Sequence, residues 1–208
     1  MNLEDLRGWM AGQDCVVVGC GPSTADKSSI AEGYPLEDAV TTRMMMRYEH
    51  RWTIGCNRSV PICSPDFAVC VEPARDKAIW HVIAEASPFV IFSHIERPHP
   101  RAVQINSKDV RTWVGPEAWR EGVEPLRLGQ SAFYAAAVAM LMGFETIGLI
   151  GVDLTDDRYA ESDAKRANDA YARLAGVAGG MGSRLVNLST SSRLTSIPSA
   201  GWEDIRTK

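Results

Sequence analysis

The stretch that most constrains this chain is Cys15 to Ser23, CVVVGCGPS. Three consecutive valines, β-branched and wholly apolar, predict a strand buried on both faces, as in a parallel sheet covered by helices. The run breaks at Gly19, and Gly19 and Gly21 are spaced Gly-x-Gly with Pro22 and Ser23 directly behind. Residues without a Cβ let an anion approach backbone amides that a following helix leaves unsatisfied. The same pattern also makes a plain tight turn in α/β proteins that bind nothing there, so a site needs further residues to support it.

With 208 residues, 45% hydrophobic and 23% charged, the chain can bury a sizeable core. A single domain over 1–208 is expected, with a lid or insertion at 95–128, where Pro, Arg, Trp and Gly are frequent and no period is clear. No apolar run reaches the length of a membrane span, and the start MNLEDLRGWM is acidic and amphipathic, unlike a signal peptide. A cytoplasmic location is expected. A formal charge of -4 argues against general nucleic-acid binding, which usually needs a basic surface. The five cysteines form no C-x-x-C pair, so buried free thiols are expected and a zinc site is not.

Strand and helix signals alternate along the chain. Strands are predicted at Trp52 to Asn57, Phe67 to Glu72, Phe89 to His94, Thr146 to Val152 and Arg184 to Leu188, in addition to the valine run. Helices are predicted at Leu3 to Met10, Leu36 to His50, Ala74 to Ala86, Gln130 to Gly143, Ser162 to Ala178 with a stop at Gly179 and Gly180, and Trp202 to Arg206. This order implies an α/β, Rossmann-like doubly wound fold, with a mostly parallel sheet and helices on both faces.

Ligands of such sheets lie beyond the carboxyl ends of the strands, near the point where strand order reverses. Polar residues at predicted strand ends are Gly19 to Ser23, Asn57 with Arg58, Glu72, and Asp153. Gln130 and Ser131 open the strongest predicted helix, where exposed amides and the dipole favour a phosphate. Asn57 either caps its own turn or reads a base or sugar with an amide that both donates and accepts. Asp153 closes the apolar run TIGLIGV and suits ribose hydroxyls, a magnesium ion or an acceptor hydroxyl awaiting deprotonation. Of the four histidines, His94 alone follows a predicted strand, where a catalytic base would stand.

Taken in order, VVVGCGPS, WTIGCNRS, SPDFAVCVEP, GQSAFYAAAVAMLMGFETIGLIGVDL and LVNLSTSSRLTSIP resemble one superfamily. It holds the Maf-type motility-accessory glycosyltransferases, the sialyltransferases of glycosyltransferase family 42, and the MptE-like 6-hydroxymethylpterin diphosphokinases. The resemblance implies a nucleotide pocket lined by Gly19, Gly21, Pro22, Ser23, Asn57, Gln130, Ser131 and Asp153, and a transferase with a nucleotide-activated donor. It implies small-molecule partners, a nucleotide and an acceptor, and leaves self-association open. A nucleotide sugar is the first donor it suggests. A magnesium-dependent diphosphokinase using ATP is the second, with Asp153 and Asp156 as metal ligands, and a binding protein without chemistry is the third. The sialyltransferases carry a histidine base after the GVD motif, whereas Asp156 to Arg193 here contains none, and their tyrosines behind the Asp are matched at most by Tyr159.

Overall fold

The computed structural model describes residues 3–21, 50–70, 88–93, 100–105, 131–155 and 161–208; the side chains of Arg58, Pro61, Ile62, Ile91 and Ser93 are not among what it describes. The helices expected at 36–50 and 74–86 and most of the expected insertion at 95–128 lie outside these residues.

The described strands are β1 (Cys15–Val18), β2 (Trp52–Cys56), β3 (Phe67–Cys70), β4 (Val90–Ser93), β5 (Ala102–Gln104), β6 (Thr146–Ile150) and β7 (Arg184–Asn187). They form a seven-stranded sheet in the order β5-β4-β3-β2-β1-β6-β7, parallel at every pairing. The chain builds outward from β1 to β5 and then returns to place β6 on the other side of β1, so strand order reverses between β1 and β6. The Rossmann-like α/β expectation is met. The extra short strand β5 falls inside the stretch that has no sequence period.

Alternation along β1 divides the core. Cys15 and Val17 join the large apolar cluster on one face, while Val16 and Val18 join a smaller one with Cys63, Ile150, Val186, Leu188 and Ile205 on the other. Both faces are covered, which explains why the valine run has no polar position. A four-residue helix α1 (Val60–Cys63) and the C-terminal segment around Trp202 and Ile205 cover the smaller cluster. Two long helices, α2 (Ser131–Met142) and α3 (Glu161–Gly180), belong to the larger one.

All twelve residues of α2 are buried, so it has no amphipathic stripe. Its alanines bring it close to the sheet and favour the helix intrinsically. Gly143, at φ +88°, ends it in a Schellman turn: Phe144 N donates to Ala139 O and Gly143 N to Met140 O. Gly8 N and Met10 N donate to the carbonyls of Leu141 and Met142. All four carbonyls that a helix end leaves without a partner are therefore satisfied. This accounts for the one segment that departs most from its sequence signal. The helix expected over Leu3 to Met10 shrinks to a 3-10 turn at Glu4–Leu6, because the residues after it are turned to cap α2.

α3 buries Ala164, Ala167, Ala170, Tyr171, Leu174 and Ala178, a single stripe at helical spacing. It runs through Gly179 and Gly180, where the sequence suggested a stop. The end comes instead at Gly182, at φ +80°, with Ser183 N donating to Ala178 O. Trp202 to Arg206 forms a 3-10 turn at Trp202–Asp204 rather than a longer helix.

At the amino edge of the sheet, the buried carboxylate of Asp14 gathers the chain ends. It accepts from Thr146 N at 3.0 Å, from Arg206 N at 3.0 Å, and from the Arg206 guanidinium at 3.0 and 2.7 Å. Burial works to raise the Asp14 pKa, but the hydrogen bonds and charge of Arg206 outweigh it and hold the carboxyl below its ordinary value. A depressed carboxylate stabilises the fold at any pH above its unfolded value, near 3.9, and that contribution fades as pH falls through the folded value. Asp14→Asn should lower stability at pH 7 by about 1–3 kcal/mol. Denaturant titrations should find the gap from wild type closing below about pH 4.

Candidate functional site

The carboxyl ends of β1, β2 and β6 meet at the reversal point, and two glycines make the meeting close. Gly19 N donates to Ile150 O and Gly21 N to Gly151 O, both at 2.8 Å, which carries the β1–β6 ladder past the last paired residues. A Cβ on Gly19 would overlap the carbonyl of Gly151. A Cβ on Gly21 would stand 2.7 Å from both Gly151 O and Asp153 Oδ2. The Gly-x-Gly spacing is thus required by the approach of one backbone and one carboxylate.

Asp153 is 3% exposed, and it stands directly over this turn. Its Oδ1 accepts from Ser189 Oγ at 2.8 Å, while its own carbonyl accepts from Arg193 N at 2.7 Å. The next residue, Leu154, is buried at φ +56°, a left-handed conformation that costs a branched residue about 1–2 kcal/mol. Strain of this kind beside a buried carboxylate marks the segment as held in place by its surroundings.

Asn57 follows β2 at φ +49°, a region that asparagine tolerates better than most residues. Its side chain does not cap its own turn. Nδ2 donates across the site to Ser131 Oγ, at 2.6 Å, at the first residue of α2. Its Oδ1 is buried and has no hydrogen-bond partner among the described residues. A buried carbonyl oxygen left in that state costs free energy comparable to a lost hydrogen bond, which a ligand donor would recover. α2 leads into β6 and so runs against the strands, which puts its amino terminus at this same edge.

Two further residues complete the contacts. Cys20, exposed between the two glycines, donates from Sγ to Cys56 O at 3.3 Å, which ties the turn to the end of β2. Ser59 Oγ accepts from Cys56 N at 2.8 Å and lies 2.6 Å from Val18 O, bridging β1 and β2. The other cysteines are buried free thiols, as expected. Burial pushes the thiols of Cys15, Cys56 and Cys63 upward, which keeps them protonated and inert.

Of the residues singled out in the sequence, Gly19, Gly21, Asn57, Ser131 and Asp153 are brought to one rim. Arg58 follows Asn57 in a 3-10 turn at Asn57–Ser59, with its side chain undescribed. Pro22, Ser23, Glu72, His94, Gln130 and Asp156 lie outside the described residues. β4, which precedes His94, opens on the same edge but stands three strands from β1. Ser189 and Ser59 were missed, as was the bond that Cys20 makes from within the Gly19 to Ser23 turn. Asn187-x-Ser189 at the end of a predicted strand was the available signal for Ser189, because an asparagine there organises the turn that follows.

Among the described residues no group of three His, Cys, Asp or Glu side chains could hold a metal, and one oxygen of Asp153 is already engaged by Ser189.

No protein-family model and no curated protein matches this sequence. Solved structures do. The fold is shared with sialyltransferases. A variant of alpha-2,3/8-sialyltransferase CstII matches with a TM-score of 0.53 at 16% identity, over 90% of this chain and 86% of that one. CstII from Campylobacter jejuni in complex with the substrate analogue CMP-3FNeuAc gives 0.52 at 16%, over 90% and 85%. The alpha-2,3-sialyltransferase from Campylobacter jejuni in apo form gives 0.52 at 13%, over 97% and 86%. At these identities the likeness establishes the fold. None of these three structures is a motility-accessory glycosyltransferase or a pterin diphosphokinase.

The crowding around Gly21 gives a direct test. Gly21→Ala should lower stability by about 1–3 kcal/mol, as overpacking does, because neither the Gly151 carbonyl nor the braced carboxylate has room to retreat. Gly176→Ala, where an added Cβ meets nothing within 4 Å, should not destabilise and serves as the control in thermal denaturation.

Proposed function

We propose that this chain is a nucleotide-dependent transferase that takes a nucleotide-sugar donor, with a cytidine nucleotide as the first candidate. The observation that carries this reading is the buried, partnerless Asn57 Oδ1, held by Ser131 at the point of strand reversal. It is an acceptor positioned for a donor that the described residues do not supply, such as a ribose hydroxyl or a base amino group. The amino terminus of α2 offers amides for the phosphate, and Asp153 offers a carboxylate for hydroxyls. Solved sialyltransferases of this fold in complex with CMP and with CMP-3FNeuAc support the choice of cytidine.

In this reading the site works by position and charge. The amino terminus of α2 stabilises negative charge growing on the leaving phosphate, and the strand ends hold donor and acceptor in line. His94 is proposed as the base that takes the acceptor proton. Pro22, Ser23, Arg58, Glu72 and Gln130 are proposed to complete the nucleotide pocket within a single domain over 1–208. The absence of a histidine from Asp156 to Arg193 favours a second reading, a protein that binds the nucleotide without transferring from it.

Thermal denaturation against CMP, UDP, GDP and ATP, with and without magnesium, tests the pocket. CMP at about a hundred times its Kd should add about 2.7 kcal/mol, a rise in Tm of roughly 5–10 °C that is independent of magnesium. Asn57→Ala should remove most of that rise. A Tm unmoved by all four nucleotides overturns the reading, and a magnesium-dependent response to ATP alone moves it to the diphosphokinase class. Release of CMP from CMP-sialic acid, lost in His94→Ala, separates enzyme from binder.

A further inference from the structure

The arginine side chains of this protein are mostly engaged within the fold. Those of Arg7, Arg51, Arg101, Arg166, Arg184 and Arg206 each reach a carboxylate, a carbonyl or a hydroxyl. Among the described residues, those of Arg173 and Arg193 have neither a hydrogen bond nor an ion pair. Arg173 lies on α3 with one guanidinium nitrogen buried. Arg193 is exposed, in the segment that leaves β7 at the carboxyl edge of the sheet.

The backbone that carries Arg193 is fastened far more heavily than an exposed connection needs. Its N–H donates to Asp153 O at 2.7 Å, and its carbonyl accepts from Asn168 Nδ2, on α3, at 2.8 Å. On the near side, Ser192 Oγ donates to Val152 O at 2.7 Å. On the far side, Asn187 Nδ2 donates to Leu194 O at 2.9 Å, and Thr195 N and Ser196 N donate to Asn168 Oδ1 at 2.7 and 2.9 Å. Fixing a surface segment to this degree costs backbone entropy, and what it secures is the place of residue 193 against the end of β6. No ion pair joins the guanidinium to Asp153 or to any other described carboxylate, so its charge is not neutralised within the described fold.

We propose that Arg193 is an anion-binding residue of the candidate site: anchored beside Asp153, its guanidinium takes a phosphate or carboxylate group of the ligand. The planar fork of an arginine matches both groups with two parallel hydrogen bonds, and a fixed backbone beneath a long side chain lowers the cost of making them. The segment comes off β7, on the far side of β6 from β1, whereas Asn57 ends β2 on the other side of β1. The two strand ends, β2 and β6, are about 10 Å apart, so Arg193 holds the ligand at a point away from the bridge between Asn57 and Ser131. That this rim takes a nucleotide-sugar donor rests on the function proposed above; such a donor offers the nucleotide phosphate and, in CMP-sialic acid, a sugar carboxylate.

The test has two arms. The first needs no nucleotide: inorganic phosphate and acetate are titrated into nitrogen-15-labelled protein, and the arginine Nε–H signals are followed by NMR, that of Arg193 being assigned by its loss in Arg193→Gln. One of the two anions should shift the Arg193 signal and saturate it at a lower concentration than that of Arg166, a surface arginine on α3. Equal responses from the two arginines mean an adventitious ion only, and overturn the proposal. In the second arm, calorimetric titrations compare cytidine, CMP and CMP-sialic acid. Arg193→Gln should leave Tm and cytidine binding unchanged, and should weaken binding of the anion it holds about tenfold, with Arg193→Lys in between. A loss shared by CMP and CMP-sialic acid assigns the phosphate; a loss for CMP-sialic acid alone assigns the sugar carboxylate. Unchanged affinity for both, or a fall in Tm that accounts for the loss, overturns the proposal. If wild type takes up none of the three but phosphate or acetate still selects Arg193, the anion contact stands and the nucleotide reading falls.

Discussion

The amides of Gly19 and Gly21 donate to the carbonyls of Ile150 and Gly151, and so bring two strand ends, distant in sequence, into backbone contact at the point where the sheet reverses. Everything at the candidate site is arranged around that approach. It sets Asp153 over the turn and leaves no room for a side chain on the turn itself. It also puts the β1 end beside Cys56, from which Asn57 reaches to α2. Were the two ends a methyl group further apart, the polar residues would still be present but would no longer share a rim.

The fold was legible because its strongest signals are local. A valine run without a polar position, an alanine-rich helix and a second apolar strand closed by Asp153 each announce their element and its burial. Where local signals failed, a distant requirement had intervened. Leu3 to Met10 has helical spacing, yet Gly8 and Met10 are needed as donors for the end of α2, and the segment turns accordingly. Gly179 and Gly180 look like a stop, but a helix ends where a residue enters the left-handed region, and here that residue is Gly182.

The site followed the same division. Gly19, Gly21, Asn57, Ser131 and Asp153 stood out because each interrupts a regular element with a polar or side-chain-free residue. Ser189 did not, since it lies among the neighbouring hydroxyls of LSTSSR and its partner is 36 positions away. Ser59 and Cys20 were hidden for a similar reason: their roles are bonds to carbonyls of other strands, and nothing in the residue type reveals which carbonyl is near.

The alanines of α2 carry a consequence beyond compactness. A helix seated on the sheet through such short side chains acts as a spacer of fixed thickness, and Ser131 stands at its open end. The gap that Asn57 bridges is therefore gauged by methyl groups within about two turns of it. Evolution could retune the width of this mouth for a larger or smaller guest by exchanging an alanine for a valine deep in the core, without touching a single residue that the guest would meet.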